Sequence, residues 1–476
     1  MGDDHTTQAI SAYGSILDSL AVTPHIDRLA EQGARLTQVF CTNSICTPSR
    51  ATILTGQYSH KNHVYTLRDS LDPGHEQVAK LLHHHGYQTA IVGKWHLKTQ
   101  PQGFDYFNIL PGQGRYHDPI LRTSANWKSG GKEYKGFSTD VITDQALQWL
   151  DRRDPEQPFL LMTHFKASHE PYNYAQRFDT LYQHTTMPEP KSLFNFYPDQ
   201  TGRTFQGQVL EILGRRFVAN RGHRYPGPPF SLEGLNDRQR REKIYQRFIK
   251  DFLRSGATID DNVGRILRYL DAHHLSKNTI VIYTADQGYF LGEHGLFDKR
   301  MMYEQALRMP FIIRYPGHIP AGTTVDDMIL NTDFAPLMLD YAGVERPAAM
   351  QGRSFRANLQ GRTPGDWRTA LYYRYWMHQQ HRPAHFGIRT RRYMLMFLYG
   401  QPLMDVYGEP PTEPTWEFYD LQKDPREVHN AYGDPDYQPV IQRLKTRLLQ
   451  LKRQAGDTVV DRQHPVMQQI INHNFE

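Results

Sequence analysis

Short apolar runs alternate along the chain with stretches whose apolar residues recur at helical spacing. Ala90-Ile91-Val92 follows the helix-like segment from Val78 to His85, and Phe159-Leu160-Leu161-Met162 follows Val141 to Leu150. The run Thr279 to Tyr283 follows a long segment in which Ile259, Val263, Ile266, Leu267 and Leu270 repeat with a 3.6-residue period. Phe311-Ile312-Ile313 then precedes a helical pattern over Phe334 to Tyr341. Strands that alternate with helices predict an α/β fold whose mostly parallel sheet is covered by helices on both faces. In such sheets, sites lie where the carboxyl ends of strands meet loops.

Two regions break the pattern. Lys191 to Arg240 is rich in Pro, Gly, Arg and aromatic residues with little periodicity, and reads as an insertion that could wall a substrate site. Beyond about Gln351, Ala370 to Tyr373, Tyr393 to Phe397 and Glu417 to Leu421 look like antiparallel strands, and Pro439 to Arg453 forms a basic helix. The expected organisation is a catalytic α/β unit over 1–350 and a smaller α+β unit, with an antiparallel sheet, over 351–476.

Composition narrows the function classes. With 476 residues, 39% hydrophobic and 22% charged, the chain is an ordinary globular one with ample core. The net charge of +5 could mildly attract an anion, but scattered Lys and Arg among nearly as many Asp and Glu make no nucleic-acid footprint. Two cysteines exclude a disulfide framework, leaving a single Cys41–Cys46 bridge as the plain structural reading of that pair. No run of 18 apolar residues could span a membrane, and no signal peptide is visible.

The segment Cys46-Thr47-Pro48-Ser49-Arg50-Ala51-Thr52-Ile53-Leu54-Thr55-Gly56 carries the first chemistry. If helical, it puts Arg50 on the same face as Cys46. A thiol near a helix start and a guanidinium is a candidate nucleophile, and equally a buried structural cysteine beside a surface arginine. The adjacent carboxylates Asp3-Asp4, and Asp286-Gln287 at the end of the strand before them, read on their own as turns or caps. Lys94 and His96 lie two apart, so an extended segment would point both to one face.

The cysteine segment resembles the sulfatase signature Cys-x-Pro-Ser-Arg-x-x-x-Leu-Thr-Gly at every fixed position. About 40 residues on, Gly86 to His96 resembles the second sulfatase signature. The similarity continues through Ser168-His169-Glu170-Pro171, Thr284 to Gly288, Asp298-Lys299-Arg300 and Phe418 to Pro425, so it spans nearly the whole chain. The local text Leu110-Pro111-Gly112-Gln113-Gly114 is similar to glycan sulfatases of the N-acetylglucosamine-6-sulfatase kind. The resemblance implies an alkaline-phosphatase-like fold and a sulfuric ester hydrolase acting on a sulfated carbohydrate. It implies that a separate maturation enzyme oxidises Cys46 to formylglycine. The hydrated aldehyde attacks sulfur, and its second hydroxyl then collapses to expel sulfate.

The resemblance also assigns the site. Asp3, Asp4, Asp286, Gln287 and the residue at 46 become metal ligands, and an all-oxygen set suits Ca²⁺ or Mg²⁺. Gln287 stands where many relatives have Asn or His. Lys94 and Lys299 are expected to clamp sulfate oxygens, Arg50 to orient the diol, His96 to take a proton during sulfate release, and His169 to protonate the leaving alcohol. Arg115, His117, His378, His381 and His385 are candidate sugar contacts, chosen for polar character near motifs or in the second unit. Two rivals stand: a phosphonate monoester or phosphodiester hydrolase of the same superfamily, and an inactive glycan-binding homologue. In the family the paired aspartates end a buried first strand, yet only Met1 and Gly2 precede Asp3. The start therefore reads as internal to a longer chain, with the strand and a secretory signal upstream and a periplasmic or extracellular destination.

Overall fold

The computed structural model describes residues 1–195 and 207–475. A parallel sheet has the order Tyr106–Leu110, Gln88–Lys94, Phe159–His164. A second sheet runs Thr323–Val325, Ala34–Leu36, Phe311–Arg314, Val281–Thr284. Parallel pairing dominates; the antiparallel pairs in these two sheets both involve Phe311–Arg314. Residues Met1 to Asp3 bridge the two sheets. The Gly2 amide donates to Thr284 at 2.9 Å, while Phe165 donates to the Met1 carbonyl at 2.9 Å and Asp3 to Ala167 at 2.8 Å. This short extended piece therefore delivers Asp3 and Asp4 to the carboxyl ends of both neighbouring strands.

Alternation in the central strand explains why both sheet faces are covered. Val92 packs with Ile26, Val141, Ile142, Ile259 and Val263 of the helices Pro24–Glu31, Ser138–Arg152 and Asp237–Ala272. Its neighbour Ile91 faces the other way, against Ala51, Leu54, Val78, Leu82 and Leu339 of the helices Cys46–Thr55, Val78–His84 and Phe334–Tyr341. Fully burying each such aliphatic side chain is worth about 1.5–3 kcal/mol.

The insertion holds more order than its composition suggests. The long helix begins inside it, at Asp237, where Asn236 and Gln239 form a reciprocal capping box with both bonds at 3.0 Å. A helix over Leu210–Ala219 packs Leu213 and Phe217 against Ile244, Tyr245 and Phe248. Gly214 permits this approach, because a Cβ there would lie 2.3 Å from Ile244. Residues 196–206 of the insertion lie outside the described residues.

The C-terminal region is a four-stranded antiparallel sheet, in the order Ala370–Tyr375, His385–Thr390, Tyr393–Leu398, Thr415–Asp420. Phe386, Ile388, Leu395 and Phe397 pack on Ile441, Leu444 and Leu448 of the helix Gln438–Gln454. The opposite face, with Leu371, Tyr373, Met394 and Met396, merges with Phe40, Tyr303 and Phe311 of the first region. The strand His385–Thr390 escapes the hydrophobic pattern because its sequence places His385, Gly387 and Arg389 on one face. Those residues meet polar partners of the first region: His385 Nε2 accepts from the Met302 amide at 3.1 Å, and Arg389 pairs with Glu304 at 2.8 Å.

Candidate active site

Cys46 is the first residue of a helix whose ten residues are all buried, ended by Gly56 in the left-handed conformation. Cys41 and Cys46 are both free thiols, so the bridge considered for the pair is not formed. Burial pushes the Cys46 thiol up to about 12; Lys299 and Lys94 pull it down only partly, and Asp3 and Asp286 push it further up. The unmodified side chain is therefore a neutral thiol at physiological pH, a poor nucleophile.

Arg50 lies one turn on and reaches away from solvent. Its Nε donates to Asp286 Oδ2 at 3.0 Å and its Nη1 to the Lys94 carbonyl at 2.8 Å; its Nη2 sits 3.6 Å from Asp3. The Lys94 ammonium bonds Asp3 and donates to Gln113 Oε1 at 2.6 Å. The Lys299 ammonium donates to both Asp4 oxygens, at 2.5 and 2.7 Å. Three cations are thus interleaved with three carboxylates. Burial raises Asp4 to about 7; Lys299 opposes this, and Asp3 and Asp286 add to the rise. Asp3 instead lies well below the ordinary carboxylate range, because Lys94, His169 and Arg50 outweigh its burial.

The carboxylate cluster fits a hard cation. Asp3, Cys46 and Asp286 each offer an atom within 4.8 Å of one another. Gln287 Nε2 donates to Asp286 at 2.8 Å and to Asp4, which leaves its Oε1 buried without a hydrogen-bond partner; Asp3 Oδ1 is in the same condition. An unsatisfied buried oxygen costs about 1–3 kcal/mol, which a bound cation would relieve.

The two histidines differ in placement. His169 lines a cavity of about 210 Å³ together with Cys46, Asp4 and Lys299. Its Nδ1 donates to the Glu170 carbonyl at 2.8 Å, so Nε2 is the free nitrogen, 4.0 Å from Asp4. Burial, then Lys94, holds its pKa well below the ordinary value, with Asp3 opposing. His96 does not line the cavity. The strand ends at Lys94, and His96 adopts a positive φ of 58°, so the extended same-face geometry expected for the pair is not formed. Instead His96 Nδ1 lies 3.4 Å from Thr47 Oγ1, beside the start of the helix. Burial, and then Lys94, pushes it down to about 2.

None of the expected sugar contacts lines this cavity, as the described residues bound it. His378 and His385 are fully buried and committed to backbone groups, His378 Nε2 lying 3.0 Å from the Pro410 carbonyl. Arg115 pairs with Glu133 at 3.1 Å on the surface, and His117 meets Asn173 at 3.2 Å. His381 stands just behind, against the backbone of Gly207. The walls are built by Gln113, Glu170, Arg216, Tyr289, Asp298, Arg300 and Arg382 instead. Gln113, Glu170, Asp298 and Arg300 fall inside motif-bearing segments; Arg216 and Arg382 carry no local signal.

Comparison with known proteins decides the family. The sulfatase family model matches residues 1–344, and the model described as N-sulphoglucosamine sulphohydrolase, C-terminal, matches residues 292–454. The chain belongs to the sulfatase family. It is a sulfuric ester hydrolase of the alkaline-phosphatase-like fold, and family membership implies formylglycine-dependent catalysis with a divalent metal. An N-acetylglucosamine-6-O-sulfatase of Bacteroides thetaiotaomicron is 38% identical, over 98% of this chain and 88% of its own length. A solved structure in complex with its substrate D-glucosamine-2-N,6-O-disulfate superposes with a TM-score of 0.85 at 36% identity, covering 96% of this chain and 97% of the other. A phosphonate monoester hydrolase of Agrobacterium radiobacter also superposes, with a TM-score of 0.71 over 95% of both chains, but at 20% identity it shares the fold alone.

Proposed function

We propose that this sulfatase removes the 6-O-sulfate of a glucosamine-type sugar, with Cys46 converted to formylglycine by a separate maturation enzyme. The observation that carries the reading is the convergence of Cys46, His169 and Lys299 on one cavity, over the oxygen cluster of Asp3, Asp4, Asp286 and Gln287. The named relative and the ligand of the solved structure support the sugar and the position.

The cation, Ca²⁺ or Mg²⁺, would be held by Asp3, Asp4, Asp286, Gln287 and the side chain at 46, and would polarise a sulfate oxygen as a Lewis acid. The formylglycine would supply the attacking oxygen and, through its second hydroxyl, a route for releasing sulfate. Lys299 and Lys94 hold the sulfate oxygens and stabilise their charge as the ester bond breaks. Arg50, fixed by Asp286 and the Lys94 carbonyl, orients the side chain at 46. His169, once protonated at Nε2 beside the anionic substrate, donates that proton to the leaving alcohol; the Nδ1 bond to the Glu170 carbonyl keeps Nε2 toward the cavity. His96, held neutral beside the start of the same helix, would take a proton from the side chain at 46 as sulfate is released. The protein is proposed to act in the periplasm or outside the cell; among the described residues no helix is long and apolar enough to cross a membrane.

The test is a panel of glucosamine derivatives sulfated at the 6-O, 3-O or 2-N position, with a phosphodiester alongside. Release of sulfate from the 6-O position is expected to exceed the other rates. Preferential cleavage of the phosphodiester would favour the phosphonate hydrolase reading.

A further inference from the structure

The loop between the strands Tyr393–Leu398 and Thr415–Asp420 is pinned at several points. The Gly400 amide donates to the Ala384 carbonyl at 3.1 Å, and the Thr412 amide to the Gly400 carbonyl at 3.0 Å. Leu403 and Met404 pack against Tyr65 and Trp376. Asp405 is buried and accepts from the His378 amide at 3.1 Å and from the Tyr407 amide at 3.3 Å. From this anchored loop Val406 and Tyr407 stand out into solvent. At 88% and 66% they are the two most exposed large apolar side chains among the described residues.

The pair stands on the rim of the catalytic cavity, tied to its wall from two sides. On one side, the Arg68 guanidinium carbon lies 3.6 Å from the centre of the Tyr407 ring, and the adjacent residue, Leu67, lines the cavity with Cys46. On the other, Arg300 lines the cavity and its Nη1 lies 3.8 Å from the Met377 sulfur; the next residue, His378, is the one that holds Asp405. The guanidinium covers one face of the tyrosine ring and leaves the other open to solvent. Among the described residues Arg68 forms no ion pair, and Lys98 bonds the Arg68 carbonyl, which brings a second cation to the same edge.

Two features indicate what the open face receives. The cavity, at about 210 Å³, is smaller than the roughly 300 Å³ of an ordinary ligand cleft, and suits one sugar unit. Whatever is linked to that unit must then cross the rim. The rim at Tyr407 is basic, and a sulfated chain is anionic. A pyranose ring presents a face of C–H groups, which lies flat on an aromatic ring and buries the apolar area of both.

We propose that Tyr407, backed by Arg68, is a platform on which the neighbouring sugar of a longer chain stacks while the sulfated unit occupies the cavity. The inference rests on the sugar-sulfatase reading above and adds that the preferred substrate is an oligosaccharide. Tyr407 acts in binding and touches no reacting atom.

The experiment uses enzyme that carries the aldehyde at position 46. It compares kcat/KM on N-acetylglucosamine 6-O-sulfate with kcat/KM on two disaccharides, in which that unit is linked through its reducing or its non-reducing side to an unsulfated sugar. The wild type is expected to favour one disaccharide by about tenfold, the size of one good stacking contact. Tyr407→Ala should remove most of that preference, Tyr407→Trp should keep it, and Arg68→Gln should lose part of it. A Tyr407→Ala variant that slows single sugar and disaccharide in parallel overturns the proposal. So does one that keeps the ratio but abolishes a dimer in sedimentation, which would assign the exposed pair to an interface between copies. A wild type that cleaves the single sugar and shows no preference for either disaccharide defeats the platform alone. One that cleaves nitrophenyl sulfate but no sugar defeats the sugar reading and this inference with it.

Discussion

At the scale of single residues, burial sets most of the chemistry. The general acid assigned to His169 gives a graded expectation. A sugar alcohol needs a proton as it leaves, whereas an activated phenol hardly does. His169→Ala should therefore lose on the order of 10²–10⁴-fold on a sulfated sugar and far less on nitrophenyl sulfate. Equal losses on the two would remove His169 from that role. The metal assignment has its own test. Asp286 accepts from Arg50 and from Gln287, so Asp286→Ala removes a ligand and releases both partners. The variant should retain little metal by elemental analysis, and added Ca²⁺ or Mg²⁺ should restore a chelated wild type but not the variant. Full metal content in Asp286→Ala would refute the ligand set. Cys46, Arg50, Lys94, His169 and Lys299 were legible because each sits inside a short local motif. Arg216 and Arg382 were not, since one comes from the insertion and the other from between two C-terminal strands; only the fold brings them together.

At the scale of elements, strands and helices were legible where apolar residues run together or recur at helical spacing. The run Phe159 to Met162 in the strand Phe159–His164 and the helix Phe334–Tyr341 are such cases. His385–Thr390 was missed because its inward face is stitched to the first region by polar side chains and by Gly387, which Met302 and Leu395 press closely. The Leu210–Ala219 helix was missed because its apolar stripe is short and its surroundings are rich in Arg and Pro. The long helix that supports the insertion depends on its cap. Asn236→Ala removes the side-chain half of the capping box, the bond its Oδ1 accepts from the Gln239 amide, and should lower stability by about 1 kcal/mol in urea unfolding. An unchanged midpoint would mean that packing alone sets where the helix starts.

At the scale of the whole molecule, the two sheets meet at Met1 to Asp3, and the site lies over that junction. Around it, histidines are buried in neutral form. Burial holds His164 well below its ordinary value of 6.5, and pushes His5 down to about 3. Unfolded, each would bind a proton near pH 6.5; folded, neither does. Their contribution to stability is therefore complete above about pH 6.5 and drains as pH falls, toward pH 3 for His5, at about 1.4 kcal/mol per pH unit for each. His164→Gln should flatten the acid limb of a urea-midpoint profile; a limb of unchanged slope would assign the acid loss to other groups.

The most direct measurement joins chemistry to turnover at Cys46. The chain is produced with and without a formylglycine-generating enzyme, the mass of the peptide bearing Cys46 is determined, and sulfate release from N-acetylglucosamine 6-O-sulfate is followed. Activity is predicted to rise in proportion to the fraction of that peptide carrying the aldehyde, and Cys46→Ala to lose at least about 10³-fold with its fold intact. Full activity from unconverted protein, or from Cys46→Ala, would contradict the account.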